Sequence, residues 1–81
     1  MTITLRLFAR ASELVGQSEL ELELAVQSTV GNLRAQLGRQ FPQLAPTLPH
    51  LLFAVDNDYV PDAFVLNDGA SVVAFPPVSG G

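Results

Sequence analysis

The chain of 81 residues contains no cysteine and no lysine. Lack of cysteine excludes a disulfide scaffold, a thiolate metal site and any side chain able to hold a persulfide or thioester. Lack of lysine leaves no side-chain amine to which another protein could be joined. Positive side-chain charge comes from Arg6, Arg10, Arg34 and Arg39, against eight acidic residues, for a formal net charge of −4. This balance argues against nucleic-acid binding, which needs a basic face to displace counterions from phosphates. It suits a partner with a basic docking surface, and equally serves solubility. There is no apolar run of roughly 18 residues or more, as a membrane span requires. Met1 to Arg6 leads straight into a strand pattern without the features of a signal peptide. The expectation is a cytoplasmic protein that engages neither membrane nor nucleic acid.

What is present is hydrophobic. Apolar residues make up 48% of the chain, although a single domain of this size buries only roughly 60–65% of its unfolded surface. Some apolar surface must stay outside, and a contiguous patch of it would mark a partner surface.

Thr2 to Leu7 alternates, with Ile3, Leu5 and Leu7 on one face, and reads as a half-buried strand. Phe8 to Gly16 accommodates a short helical turn closed by Gly16. Glu19 to Leu24 alternates again. Its three glutamates share a face, which reads as solvated rather than as a metal site, because nothing nearby completes a coordination cage. Ser28-Thr29 supplies an N-cap for a helix carrying Val30, Leu33 and Leu37. Asn32 stands where a full capping box has Glu or Gln, so a partial cap is expected. Pro42 stops that helix, and Pro42 to Pro49 reads as an irregular connection. Leu51 to Val55 is a buried strand, Asp56-Asn57-Asp58 a turn, and Tyr59-Val60 the start of a short return strand. Asn67-Asp68-Gly69 is a further turn before the last strand, Ser71 to Phe75, which Pro76-Pro77 ends. The sum is an α+β fold, one helix across a mixed sheet. The first and last strands are apolar enough to pair at its centre.

Side-chain chemistry finds little support. His50 is the sole histidine and has no neighbouring Cys, Asp or second His in sequence. Ser12, Ser18, Ser28, Ser71 and Ser79 lack a nucleophile-elbow context. Asp56 and Asp58 lack the glycine and distant glutamate of a calcium loop. Gly80-Gly81 precedes no helix and is no phosphate loop. No metal site and no bound cofactor are expected.

The C-terminus differs. Pro76-Pro77 favours an extended launch, and Val78-Ser79-Gly80-Gly81 ends without bulk. From Pro77 the reach is at most about 16–18 Å. Glycines pass narrow channels and take backbone angles other residues avoid. With Gly near 7% of residues, a terminal pair arises by chance in roughly one case in two hundred. The Gly81 carboxylate is therefore the candidate working group, with residues 1–76 as the domain and 77–81 as the tail.

Phe75-Pro76-Pro77-Val78-Ser79-Gly80-Gly81, preceded by Leu66-Asn67-Asp68-Gly69, resembles the end of the small subunit of molybdopterin synthase, in the MoaD/ThiS family. Leu7-Phe8-Ala9, Glu13-Leu14-Val15-Gly16, Thr29-Val30-Gly31-Asn32-Leu33-Arg34 and Ala54-Val55-Asp56 extend the likeness along the chain. Departures at Asn32, Asp56 and Ala70 fall on caps or turns, and Pro61-Asp62 alters the return from the hairpin. The resemblance implies a ubiquitin-like β-grasp fold and a sulfur carrier for molybdenum-cofactor synthesis. Gly81 would be adenylated with ATP by an activating and sulfurylating partner, and converted to a thiocarboxylate. Pro77, Val78, Ser79 and Gly80 would insert with it into the large subunit, in a heterotetramer, to deliver sulfur to a cyclic pyranopterin phosphate. Catalytic side chains would belong to the partner. Phe53, Tyr59, Val60 and Phe75 are the candidates for docking. Carriers for thiamine synthesis or tRNA thiolation, or a ubiquitin-like module with a chemically idle tail, are the competing readings.

Overall fold

Alternation places Ile3, Leu5 and Leu7 on one face of β1 (Thr2–Leu7). In the computed structural model, which describes residues 1–77, all three are buried. β2 (Glu19–Glu23) pairs antiparallel with β1, setting Leu22 opposite Ile3 and Leu20 opposite Leu5, while its three glutamates face solvent. The intervening α1 (Ala9–Val15) closes as expected at Gly16, whose left-handed φ of 83° suits a residue without Cβ.

The main helix, α2 (Val30–Gln40), buries Val30, Leu33 and Leu37 against the sheet. Its N-terminus is fully satisfied. Val30 and Gly31 donate their amides to the carbonyls of Phe64 and Asp62, and Asn32 donates to Thr29 Oγ1. Asn32 Oδ1 in turn accepts from the Thr29 amide at 2.8 Å, which corrects the expectation of a partial cap. The cap needs only a side-chain carbonyl oxygen within reach, and Asn delivers one from a shorter arm than Gln. Gly31 lies close to the return from the hairpin, since a Cβ there would sit 3.3 Å from the Asp62 carbonyl oxygen, a tight contact.

Pro42 ends α2 as expected, but the proline-rich connection is ordered. It forms two 3-10 turns, Pro42–Leu44 and Leu48–His50, each with proline in its first positions, where a missing N–H leaves nothing unpaired. Leu44 and Leu48 are buried beneath them.

β3 (Leu52–Val55) and β4 (Asp58–Val60) form a hairpin through Asp56 and Asn57, whose φ of 52° and 70° make a turn with the twist the strands require. β5 (Ser71–Phe75) runs parallel to β1 on one side and antiparallel to β3 on the other, so the sheet order is β2-β1-β5-β3-β4. A mixed five-stranded sheet with α2 across one face is the α+β, β-grasp arrangement that was expected. Asp68 Oδ1 accepts from the Thr2 amide at 2.9 Å, and Gly69 donates to the Thr2 carbonyl, so the turn before β5 is fastened to the start of β1.

Arg34 fastens the other side. Its Nη1 donates to the carbonyls of Leu48 and Leu51 at 2.7 and 3.0 Å. Its Nε and Nη2 donate to both Asp62 oxygens at 3.2 and 2.9 Å. The guanidinium also lies 4.9 Å from the centre of the Phe53 ring.

An ammonium cannot reproduce this fork. Arg34→Lys is expected to cost about 1–3 kcal/mol, read as a lower urea midpoint at unchanged slope. An unmoved midpoint would show that the contacts contribute nothing. In the hairpin, Asn57→Val is expected to cost roughly 1–2 kcal/mol because a β-branched residue resists positive φ, whereas Asn57→Gly should leave the melting temperature near its original value.

Candidate functional site

β5 delivers the chain to Pro76 and Pro77 from the middle of the sheet. Phe75 lies opposite Leu52 at the last register position of β3 and β5. The root of the tail is therefore held from the β3 side by a paired strand, with β1 pairing up to Ala74 on the other. Pro77 is exposed and leaves the sheet. The residues assigned to insertion and chemistry, Val78, Ser79, Gly80 and Gly81, lie outside the described residues.

Beside that root, the sheet face turned away from α2 carries an apolar area. Along one row the register sets Tyr59 on β4 opposite Ala54 on β3, Ala54 opposite Val73 on β5, and Val73 opposite Arg6 on β1. Arg6 faces Glu19 on β2, with Nε 3.7 Å from a carboxylate oxygen. The next row holds Leu52 and Phe75. Ala54 carries only a methyl group, which lets the Tyr59 ring lean across β3 to Phe75; the ring centres are 5.4 Å apart and tilted by 43°. Tyr59 is 73% exposed and Leu52 41%. The face thus grades from apolar on β3, β4 and β5 to charged on β1 and β2. Phe8, just past the end of β1, adds another half-exposed ring.

Two of the four docking candidates need correction. Phe53 is only 2% exposed and lies in the core under Arg34, so it is no part of a docking surface. Val60 pairs with Phe53 and packs against the same core, half-buried. The cause is pleat: Phe53 and Val60 point inward, Tyr59 outward. Tyr59 and Phe75 do share the outer face, touching each other. Leu52, Ala54 and Val73 belong with them and were missed in the sequence. Leu51 to Val55 is apolar throughout, so no alternation shows which residues face out. Only the pairing of Leu52 with Phe75 decides it.

His50 is exposed at the end of a 3-10 turn. Glu19, Glu21 and Glu23 form the exposed outer side of an edge strand. Glu19 answers Arg6, and Glu23 accepts from the Thr2 hydroxyl at 2.7 Å. Among the described residues no three His, Asp or Glu side chains gather as metal ligands would, and no helix is long and apolar enough to cross a membrane.

Residues 5–81 match the model of the ThiS family. The molybdopterin synthase sulfur carrier subunit of Chlamydomonas reinhardtii is 34% identical over 83 residues, covering all of both chains. Among solved structures, SAMP1 from Haloferax volcanii superposes with a TM-score of 0.87 at 22% identity, covering all of both chains. Subunits 1 and 2 of the molybdopterin-converting factor from Helicobacter pylori have been solved as a complex. A chain of that complex superposes with a TM-score of 0.72 at 22% identity, again over all of both chains. These two likenesses concern the β-grasp fold.

The two faces of the β3–β4 hairpin separate by stability. Phe53→Ala is expected to cost about 3–5 kcal/mol. Tyr59→Ala loses an exposed ring pair and should cost about 0.5–1.5 kcal/mol. Chemical denaturation of both variants checks the order, and similar losses would contradict the assignment of faces.

Proposed function

Because this chain belongs to the ThiS family, we propose that it is a sulfur carrier for molybdopterin synthesis, working through the carboxyl group of Gly81. The observation that carries the reading is the course of the chain. A central strand ends beside an exposed apolar face and runs on into Pro76-Pro77-Val78-Ser79-Gly80-Gly81. A rigid domain that docks beside the root of a slender tail can deliver the tail's end into another protein's active site.

In this reading an activating enzyme joins the Gly81 carboxylate to ATP. A carboxylate oxygen attacks the α-phosphorus and pyrophosphate leaves. A sulfur nucleophile then displaces AMP from the acyl carbon, leaving a thiocarboxylate. Carrying sulfur on the main-chain end suits a chain without cysteine. The tail, from Pro77 through Gly80, threads into the large subunit of the synthase. There the terminal sulfur bonds to a carbon of a cyclic pyranopterin phosphate, water cleaves the thioester so formed and returns the Gly81 carboxylate, and two such transfers complete the dithiolene. The large subunit supplies the catalytic side chains, in a heterotetramer of two carriers and two large subunits. Tyr59, Phe75, Leu52, Ala54 and Val73 form the docking surface, an aromatic-centred patch of the kind that anchors interfaces. A complex of subunits 1 and 2 for a protein of the same fold is in keeping with this partner.

Intact-mass measurement after incubation with the activating enzyme, ATP and a sulfur source tests the chemistry. The expected result is a gain equal to exchanging one oxygen for sulfur, located at Gly81, and no gain in a chain lacking Gly81. An unchanged mass with a competent enzyme would overturn the reading. The client is tested by titration with the large subunit. Tyr59→Ala is expected to weaken binding on the order of tenfold, as loss of an aromatic anchor does. Absence of any complex would favour thiamine synthesis or tRNA thiolation as the client.

A further inference from the structure

We infer that Ala54 is a positioning residue for docking: its lack of side-chain bulk holds Tyr59 and Phe75 in the pose that meets the large subunit. The inference rests on the docking surface proposed above. β4 and β5 are two strands apart, with β3 between them. A strand spacing of about 4.8 Å puts those two backbones on the order of 10 Å apart. Side chains on a sheet ordinarily stand off it nearly at right angles. The ring centres of Tyr59 and Phe75 are nevertheless 5.4 Å apart, so the pair lies down across β3. Register leaves one path for it. Tyr59 stands opposite Ala54 and Phe75 opposite Leu52, so the crossing passes between Ala54 and Leu52. A branch at Cβ of residue 54 would stand in the way of the Tyr59 ring.

Alanine runs against strand preference at this place. Residue 54 is paired on both sides, between Tyr59 and Val73, where β-branched side chains pack best. A local choice that opposes its element marks a position set by something other than the fold. What the small side chain gives here is order. Tyr59 is 73% exposed, and an exposed ring with no neighbour samples several rotamers. Laid against Phe75 it keeps one, so less freedom is lost when a partner covers it.

Tyr59 is the sole tyrosine and the chain has no tryptophan, so the tyrosine band in near-ultraviolet circular dichroism reports this ring alone. Ala54→Val is expected to diminish that band and to weaken binding of the large subunit roughly three- to tenfold. Its urea midpoint should be no lower than that of Tyr59→Ala, which lacks the ring pair altogether. Ala54→Thr places the same branch with less apolar area and should behave alike. Ala54→Ser stays small and should bind as the unaltered chain does. The decisive comparison adds Ala54→Val to Tyr59→Ala, where no ring remains to be displaced and affinity should fall no further. A further loss in the double variant would show that bulk at this place meets the partner directly, and would overturn the inference. Full-strength binding by Ala54→Val, or an undiminished tyrosine band, would overturn it as well. A large subunit that ignores the unaltered chain overturns the docking reading itself, and is told apart because the unaltered chain then fails with its variants.

Discussion

The Arg34 guanidinium connects parts of the fold that no ladder of strand hydrogen bonds joins. It stands on α2, reaches the carbonyls of Leu48 and Leu51 ahead of β3, and forks onto Asp62 behind β4. The β3–β4 hairpin is thereby held to the helix at both of its ends. Beneath the guanidinium lies the Phe53 ring. Because that ring is drawn inward, the alternate residues of β3, Leu52 and Ala54, face out. The apolar face beside the tail is thus a consequence of what the core takes in. Asp62 contributes twice, since its carbonyl also accepts from the Gly31 amide at the start of α2. The Pro61-Asp62 departure is therefore a structural element of the return from the hairpin.

The outer face has two halves with different physics. On β3, β4 and β5 it offers rings and aliphatic groups, whose removal from water stabilises a complex in proportion to area. On β1 and β2 it offers carboxylates with one arginine among them, whose influence extends about a Debye length through salt solution. The first half suits affinity and the second the rate and orientation of encounter. Each of these side chains stands on a paired strand. The tail begins where the apolar half ends.

Much of this was legible in the chain. Alternation gave β1 and β2, with Ile3, Leu5, Leu7, Leu20 and Leu22 inside and the glutamates outside. Ser28-Thr29 and Pro42 bounded α2, and the turn residues at Asp56-Asn57 and Asn67-Asp68-Gly69 fell where the chain reverses. What was illegible shares a cause. Leu51 to Val55 is apolar on both sides, so its facing depends on a partner strand some twenty residues away. Phe53 was taken for surface on that account. The Asn32 cap was undervalued because its strength lies in a distance, and distance is not written in a motif. Likewise Arg34 reads as one more helix cation until Asp62, Leu48 and Leu51 are brought to it by the fold. The Gly-Gly ending was plain from the start, because it depends on composition and position alone.

The place of β5 has a mechanical consequence. A pull on the chain beyond Pro77 applies its force along β5, while β1 and β3 on either side resist it. With β1 bonded on one side and β3 on the other, that force acts as shear across two ladders together. The bonds must yield in concert, whereas an edge strand such as β4 could be peeled one rung at a time. A chain that leaves the sheet from a central strand can be pulled from that end without unravelling the domain behind it.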